Sequence, residues 1–70
     1  MMAENQFEIA YAPRILRNLT EICAEMGVGT DKVKLWVSLG APIAVSNDDG
    51  RARYSAEAAA LQLWRVREGQ

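Results

Sequence analysis

The stretch that decides the fold is "EICAEMGVGTDKVKLWVSLGAPI", residues 21–43. At its centre lies the turn "GVG", residues 27–29, with a segment of helical periodicity on each side. Gly27 suits the left-handed backbone that commonly follows a helix C-terminus. The second segment is expected to end at Gly40, because Pro42 lacks an N–H and cannot continue a helix. The stretch therefore predicts two helices joined by a short glycine turn.

Two starting points are open for the first helix. Pro13 suits a first helical turn, where its missing N–H costs nothing. Apolar residues follow it at helical spacings of four, three and four: Ile15, Leu19, Ile22 and Met26. We favour this longer helix, Pro13 to Met26. In the alternative the helix starts at Thr20, with Asn18 or Thr20 as its N-cap and Glu21 in its first turn.

The second helix is expected to begin near Thr30, with Gly29 or Thr30 as its cap and Asp31 near the positive end of the helix dipole. Its inward positions follow helical spacing: Val33, Trp36 and Val37. Cys23 is the small residue expected where the two helices cross, and we interpret it as a buried hydrophobic residue.

The segment "PIAVSNDDGRARY", residues 42–54, predicts a β-hairpin. The first strand contains Ile43 and Val45, and the second contains Arg51, Arg53 and Tyr54. Between the strands, Asp49-Gly50 is a favoured tight-turn pair.

A last helix is expected from Ala56 to about Arg67, capped by Ser55 and with Glu57 in its first turn. Two inward faces are open for it: Leu61 with Trp64, or Ala60, Leu63 and Trp64. Trp36 and Trp64 are expected to be the largest side chains of the core. Arg65 and Arg67 lie near the end of this helix, where they oppose its dipole.

The domain organisation predicted is a single folded unit of residues 13–67, preceded by a flexible or extended arm, residues 1–12, and followed by a tail, residues 68–70. Within the arm, "FEIAY" alternates apolar and other residues, which favours an extended segment packed on one side.

Composition restricts the class of function. Half of the residues are hydrophobic and 24% are charged, as in globular domains. No apolar run approaches the roughly 18 residues of a membrane helix, and the N-terminus lacks a secretory pattern, so we expect a cytoplasmic protein with no membrane partner. With no histidine and one cysteine, we expect no disulfide framework, metal site, cofactor, small-molecule substrate or enzymatic activity.

Charge is unevenly distributed. The net charge is −1, from eight basic and nine acidic residues. The first twelve residues carry Glu4 and Glu8 and no basic side chain, which leaves eight basic and seven acidic residues from Pro13 onward. A surface for nucleic acid is therefore expected only as a local patch.

The segments "LTEICAEMGVGTDKVKLWVSLGAPI" and "GAPIAVSNDDGRARYSAEAAALQLW" together resemble the winged helix-turn-helix DNA-binding domains of phage terminase small subunits, excisionases and MerR-type regulators. The shared features are a tryptophan late in the second helix, a Gly-x-Pro exit, a wing with Gly-Arg, and a tryptophan in the final helix. Here these features are Trp36, Gly40 with Pro42, Gly50 with Arg51, and Trp64. The resemblance covers about residues 13–67. It implies a mainly α fold of three helices plus a two-stranded wing, sequence-specific binding of double-stranded DNA, and a phage or prophage role in packaging, excision or transcriptional control.

The implied contacts follow the usual docking of such domains, with the second helix in the major groove. The candidate DNA-binding residues are Thr30, Lys32, Lys34 and Ser38 on that helix, Arg51 and Arg53 on the wing, and Arg14 and Arg17 on the first helix. Arg14 and Arg17, three apart on a helix, are expected to form a phosphate clamp. Alternatively, the lysines form a solvated face and the wing arginines pair with Asp48 or Asp49.

Some residues depart from the family's pattern. Leu35 stands where a polar reader is frequent, and Asp31, Asp48 and Asp49 lie within the proposed surface. Weak, salt-sensitive binding by one copy is therefore expected, with self-association or a protein partner supplying further affinity. The rival hypothesis is a protein–protein adaptor that keeps the winged fold without DNA binding, since an apolar outer helix face is a docking surface. Its motivating residues are Leu35, Val37 and Leu39.

Overall fold

The first described element is a short strand rather than a helix. The computed structural model describes residues 13–70, so the extended segment predicted at "FEIAY" lies outside the described residues. Strand β1 (Ile15–Leu16) precedes helix α1 (Leu19–Met26). The favoured helix start at Pro13 was therefore wrong. The alternative N-cap, Asn18, is confirmed, although the helix begins at Leu19 rather than Thr20.

Local hydrogen bonds explain this helix start. The Asn18 side chain accepts a hydrogen bond from the Glu21 N–H at 2.8 Å, while the Arg17 N–H donates to Glu21 Oε1 at 2.8 Å. The two bonds satisfy amides at the helix entrance, as in a capping box. Leu16 is then free to pair with the sheet, and its side chain is only 2% exposed.

The glycine turn forms as predicted. Gly27 has a φ of 69° and donates its N–H to the Cys23 carbonyl at 2.8 Å. Helix α2 (Thr30–Ser38) follows, with Gly29 as its N-cap. It ends one turn before Pro42, with Leu39 as C-cap and Gly40 at a φ of 94°.

A hairpin follows, as the sequence predicted, with strands β2 (Ile43–Asp48) and β3 (Arg51–Glu57). Asp49 and Gly50 both have positive φ, 55° and 79°, which is the backbone of a type I′ turn. The sheet is larger than the two strands expected. Strand β1 pairs antiparallel with the other edge of β3, giving three strands in the order β1-β3-β2.

The last helix, α3 (Ala58–Glu68), begins later than predicted. Ser55 pairs with Ala44 inside the sheet, so its predicted capping role was wrong. Glu57 caps the helix instead, because its two carboxylate oxygens accept hydrogen bonds from the Ala59 and Ala60 N–H groups, each at 3.0 Å.

A single core joins all three helices to the inner face of the sheet. Its buried members are Leu16, Ile22, Met26, Val33, Trp36, Ala56, Ala58, Leu61 and Trp64. The two tryptophan rings meet edge to face, with centroids 5.9 Å apart. The inward face of α3 is therefore the one with Leu61 and Trp64, whereas Leu63 is 57% exposed. Cys23 is half-buried and packs against this core, and Val37, which was expected to face inward, is also only half-buried.

The described residues thus form three helices and a three-stranded antiparallel sheet. None of these three helices is long and apolar enough to cross a membrane.

Candidate functional site

Three arginines line one groove between the start of α1 and strand β3. We call it the basic groove. It has a volume of about 280 Å³. Its lining residues are Arg17, Asn18, Leu19 and Thr20 on one side and Arg51, Ala52, Arg53 and Tyr54 on the other. The structure therefore brings Arg17 together with the two hairpin arginines, a grouping that the sequence did not suggest.

The groove exists because the chain leaves the sheet early. Strand β1 pairs with β3 only at Ile15 with Glu57 and Leu16 with Ala56. At Arg17 the backbone turns away into α1, so at residues 51–54 the edge of β3 that is not paired with β2 faces the helix entrance. Arg51 and Arg53 lie two apart on β3, and side chains two apart share a face of a strand.

The positive charge of the groove is only partly neutralised. Arg53 Nε lies 3.3 Å from Asp48 Oδ2, in a pair whose side chains are 68% and 58% exposed. Exposed ion pairs of this kind contribute little to stability, so the pair can be broken at little cost. Within residues 13–70, neither Arg17 nor Arg51 forms a side-chain ion pair. As far as the described residues are concerned, two guanidinium groups are therefore available to an anion.

The entrance of α1 adds a second source of positive potential. Helix N-termini carry about half a positive charge from their unpaired amides. Here the first residues of α1, Leu19 and Thr20, line the groove. The Glu21 carboxylate offsets part of this potential, because it accepts a hydrogen bond from the Arg17 amide.

Arg14 does not join this group. Neither Arg14 nor Arg17 lies on a helix, so the helical spacing expected to bring the two together in a clamp was wrong. Strand β1 stands between the two residues. The Arg14 side chain instead lies 2.9 Å from Glu25 Oε1 on α1, beside a separate cavity of about 450 Å³.

The second surface is the outer side of α2. The predicted contact residues on this helix are all exposed: Thr30, Lys32, Lys34 and Ser38. Ser38 Oγ donates a hydrogen bond to the Leu35 carbonyl at 2.6 Å, so its lone pairs remain available as acceptors. The opposite side of the helix is anchored by Val33 and Trp36, both 0% exposed.

The Glu57 carboxylate, which lies outside both surfaces, has a lowered pKa. Hydrogen bonds from the Ala59 amide, and then from the Ala60 amide, hold the pKa of Glu57 below its ordinary value of 4.5. This carboxylate is therefore a structural cap. The part of the chain that the structure describes contains no cluster of three potential metal ligands.

Comparison of the chain with protein-family models, curated proteins and solved structures gave no match. The function of the protein is therefore inferred from the geometry of these two surfaces.

Proposed function

We propose that the chain is a small, non-enzymatic winged helix-turn-helix protein that binds double-stranded DNA. In this proposal α2 enters the major groove, and the β2–β3 hairpin is the wing on the phosphate backbone. The observation that carries it is the convergence of Arg17, Arg51 and Arg53 on the basic groove, in a chain whose net charge is −1.

Arginine supports a backbone contact for a chemical reason. The guanidinium group is planar and always charged, and it matches the geometry of a phosphate with two parallel N–H donors. Contacts of this kind fix the orientation of a protein on a duplex without reading its sequence. Arg17 and Arg51 would bind backbone phosphates. Arg53 would also bind a phosphate once its exposed ion pair with Asp48 is broken.

The lysines of α2 support the placement of this helix in the major groove. Lys32 and Lys34 project from an exposed helix whose buried side is fixed by the core. In helix-turn-helix proteins the second helix lies in the major groove, and its flanks approach the phosphates of both strands. Few positive charges take part, so one copy is expected to bind weakly and a second copy or a protein partner to increase the affinity.

The biological setting belongs to the same proposal. The resemblance to phage terminase small subunits and excisionases favours a phage or prophage protein that acts in the cytoplasm. Its role would be DNA packaging, excision or transcriptional control.

The salt dependence of binding tests the proposal. Fluorescence anisotropy of a labelled 20-base-pair duplex would be measured from low to moderate salt for the wild type, Arg17→Ala and Arg67→Ala. Arg67 is an exposed arginine of α3 and serves as a control of equal charge. The slope of log affinity against log salt is expected to fall by about 1 for Arg17→Ala only. Absence of wild-type binding at low salt would refute the proposal.

The adaptor is the second candidate, and one observation favours it. Leu35 and Leu39, one helical turn apart, are 47% and 51% exposed. An apolar pair of this kind suits a partner protein. The same titration separates the two functions, since an adaptor without DNA binding gives no salt-dependent signal with the duplex.

A further inference from the structure

Leu35 lies on the outward side of α2. Val33 and Trp36, both fully buried, define the inward direction of this helix. With 3.6 residues per turn, Asp31 and Ser38 point most directly away from the core, and Leu35 and Lys34 lie about 50° to either side of that direction. All four side chains are exposed.

The two lysines bound this outward side. Lys34 lies at one edge, about 40° around the helix axis from Ser38, and Lys32 lies at the other edge, about 60° from Leu35, as 3.6 residues per turn requires. When a helix lies in the major groove, its flanks face the two phosphate backbones and its central line faces the base edges. The lysines thus suit phosphates, and Leu35 suits the groove floor.

The fold does not explain the leucine. Leu35 is 47% exposed on a helix whose core contacts come from Val33 and Trp36. Its outward neighbours within α2 are an acid and a hydroxyl, so Leu35 is the apolar contact on this side of the helix, and the exposed Leu39 follows at the C-cap. The base edges of the major groove offer one apolar group, the C5 methyl of thymine.

We infer that Leu35 reads thymine by packing against its C5 methyl group. This inference rests on the proposed function, because it assumes that α2 lies in the major groove. Asp31, one turn earlier, is consistent with this geometry. At the groove floor its carboxylate lies away from the phosphates and can accept a hydrogen bond from a cytosine amino group. Both residues that lower non-specific affinity then contribute to sequence preference.

The experiment removes the thymine C5 methyl group from the DNA, and it removes the leucine side chain from the protein in a separate variant. Affinity for the alternating duplexes poly(dA-dT) and poly(dA-dU) would be measured at low salt for the wild type, Leu35→Ser and Leu63→Ser. Uracil lacks only the C5 methyl. Leu63 is a similarly exposed leucine, on α3, outside the proposed interface. Circular dichroism would verify that each variant is folded.

The wild type and Leu63→Ser are expected to bind the thymine duplex about fourfold more tightly, the factor expected from burying one methyl group. Leu35→Ser is expected to bind both duplexes equally. Equal wild-type affinity for the two duplexes would overturn the thymine contact and leave DNA binding intact. A preference that persists in Leu35→Ser would also overturn it, by assigning the effect to duplex shape. Absence of wild-type binding to either duplex would overturn the proposed function as well.

Discussion

Arg65 connects the last helix to both helices of the turn. Its guanidinium carbon lies 5.3 Å from the centroid of the Trp36 ring, and its Nη1 donates a hydrogen bond to the Met26 carbonyl at 2.9 Å. Met26 is the last residue of α1, where carbonyls lack helical partners, and Trp36 is the anchor of α2. One side chain of α3 therefore stabilises the angle between α1 and α2.

Replacing Arg65 should weaken the fold measurably. Arg65→Ala removes a partly buried hydrogen bond from a charged donor and a cation–π contact, for an expected loss of about 1–3 kcal/mol in the free energy of unfolding. Urea denaturation followed by tryptophan fluorescence measures it. Arg67→Ala, an exposed neighbour on the same helix, is the control and should change stability by less than about 0.5 kcal/mol. Equal effects of the two variants would contradict the role assigned to Arg65.

The burial of Trp36 leaves a polar group without a hydrogen bond. Its ring is fully buried, and its Nε1 donor has no hydrogen-bond partner among residues 13–70. Trp36→Phe loses ring volume but also removes this unsatisfied donor, whose burial costs about 1–3 kcal/mol. We expect a net loss below about 1.5 kcal/mol by urea denaturation. Trp36→Ala opens a large cavity costing about 3–5 kcal/mol, which should largely unfold a domain of this size. A loss above about 3 kcal/mol for Trp36→Phe would contradict the contribution assigned to the unsatisfied donor.

The sequence predicted features that depend on neighbouring residues. Positive φ was predictable at Gly27 and at the Asp49-Gly50 pair, because few other residue types tolerate it. The N-cap role of Gly29 was predicted in the same way. Helical spacing identified Val33 and Trp36 as buried. Each of these signals lies within one turn of the residue concerned, so periodicity and turn chemistry were sufficient.

Features that depend on distant pairing were missed. Leu16 fits a helical stripe, yet it lies in β1 because it pairs with Ala56, forty positions away. That pairing breaks the predicted long helix, separates Arg14 from Arg17 and opens the basic groove. Ser55 is a good capping residue, but strand pairing with Ala44 holds it in the sheet. Local propensity could not anticipate either outcome, because tertiary pairing overrides it.

The capping carboxylate should make stability sensitive to acid. Because amide hydrogen bonds hold the pKa of Glu57 below its ordinary 4.5, its ionised form is favoured in the folded state. Its contribution is fully present above pH 4.5 and is lost as the pH falls through the folded-state pKa. Urea midpoints of the wild type and Glu57→Gln should therefore differ at neutral pH and converge on acidification. A difference that stays constant with pH would exclude this linkage.

The tip of the hairpin offers a substitution that separates charge from fold. Asp49 sits in a left-handed backbone at a φ of 55°, next to Gly50, and Asn-Gly is at least as favourable as Asp-Gly in a type I′ turn. Asp49→Asn should therefore keep or slightly raise the melting temperature.

The same substitution, Asp49→Asn, also removes a negative charge two residues from Arg51. If the hairpin lies against phosphates, duplex affinity at low salt should rise by up to about 1 kcal/mol, and the gain should shrink as salt screens it. Glu68→Gln, at the end of α3, removes the same charge away from the hairpin and should leave affinity nearly unchanged. Equal gains for the two variants would mean that net charge alone governs binding, and no gain for Asp49→Asn would remove the hairpin from the DNA interface.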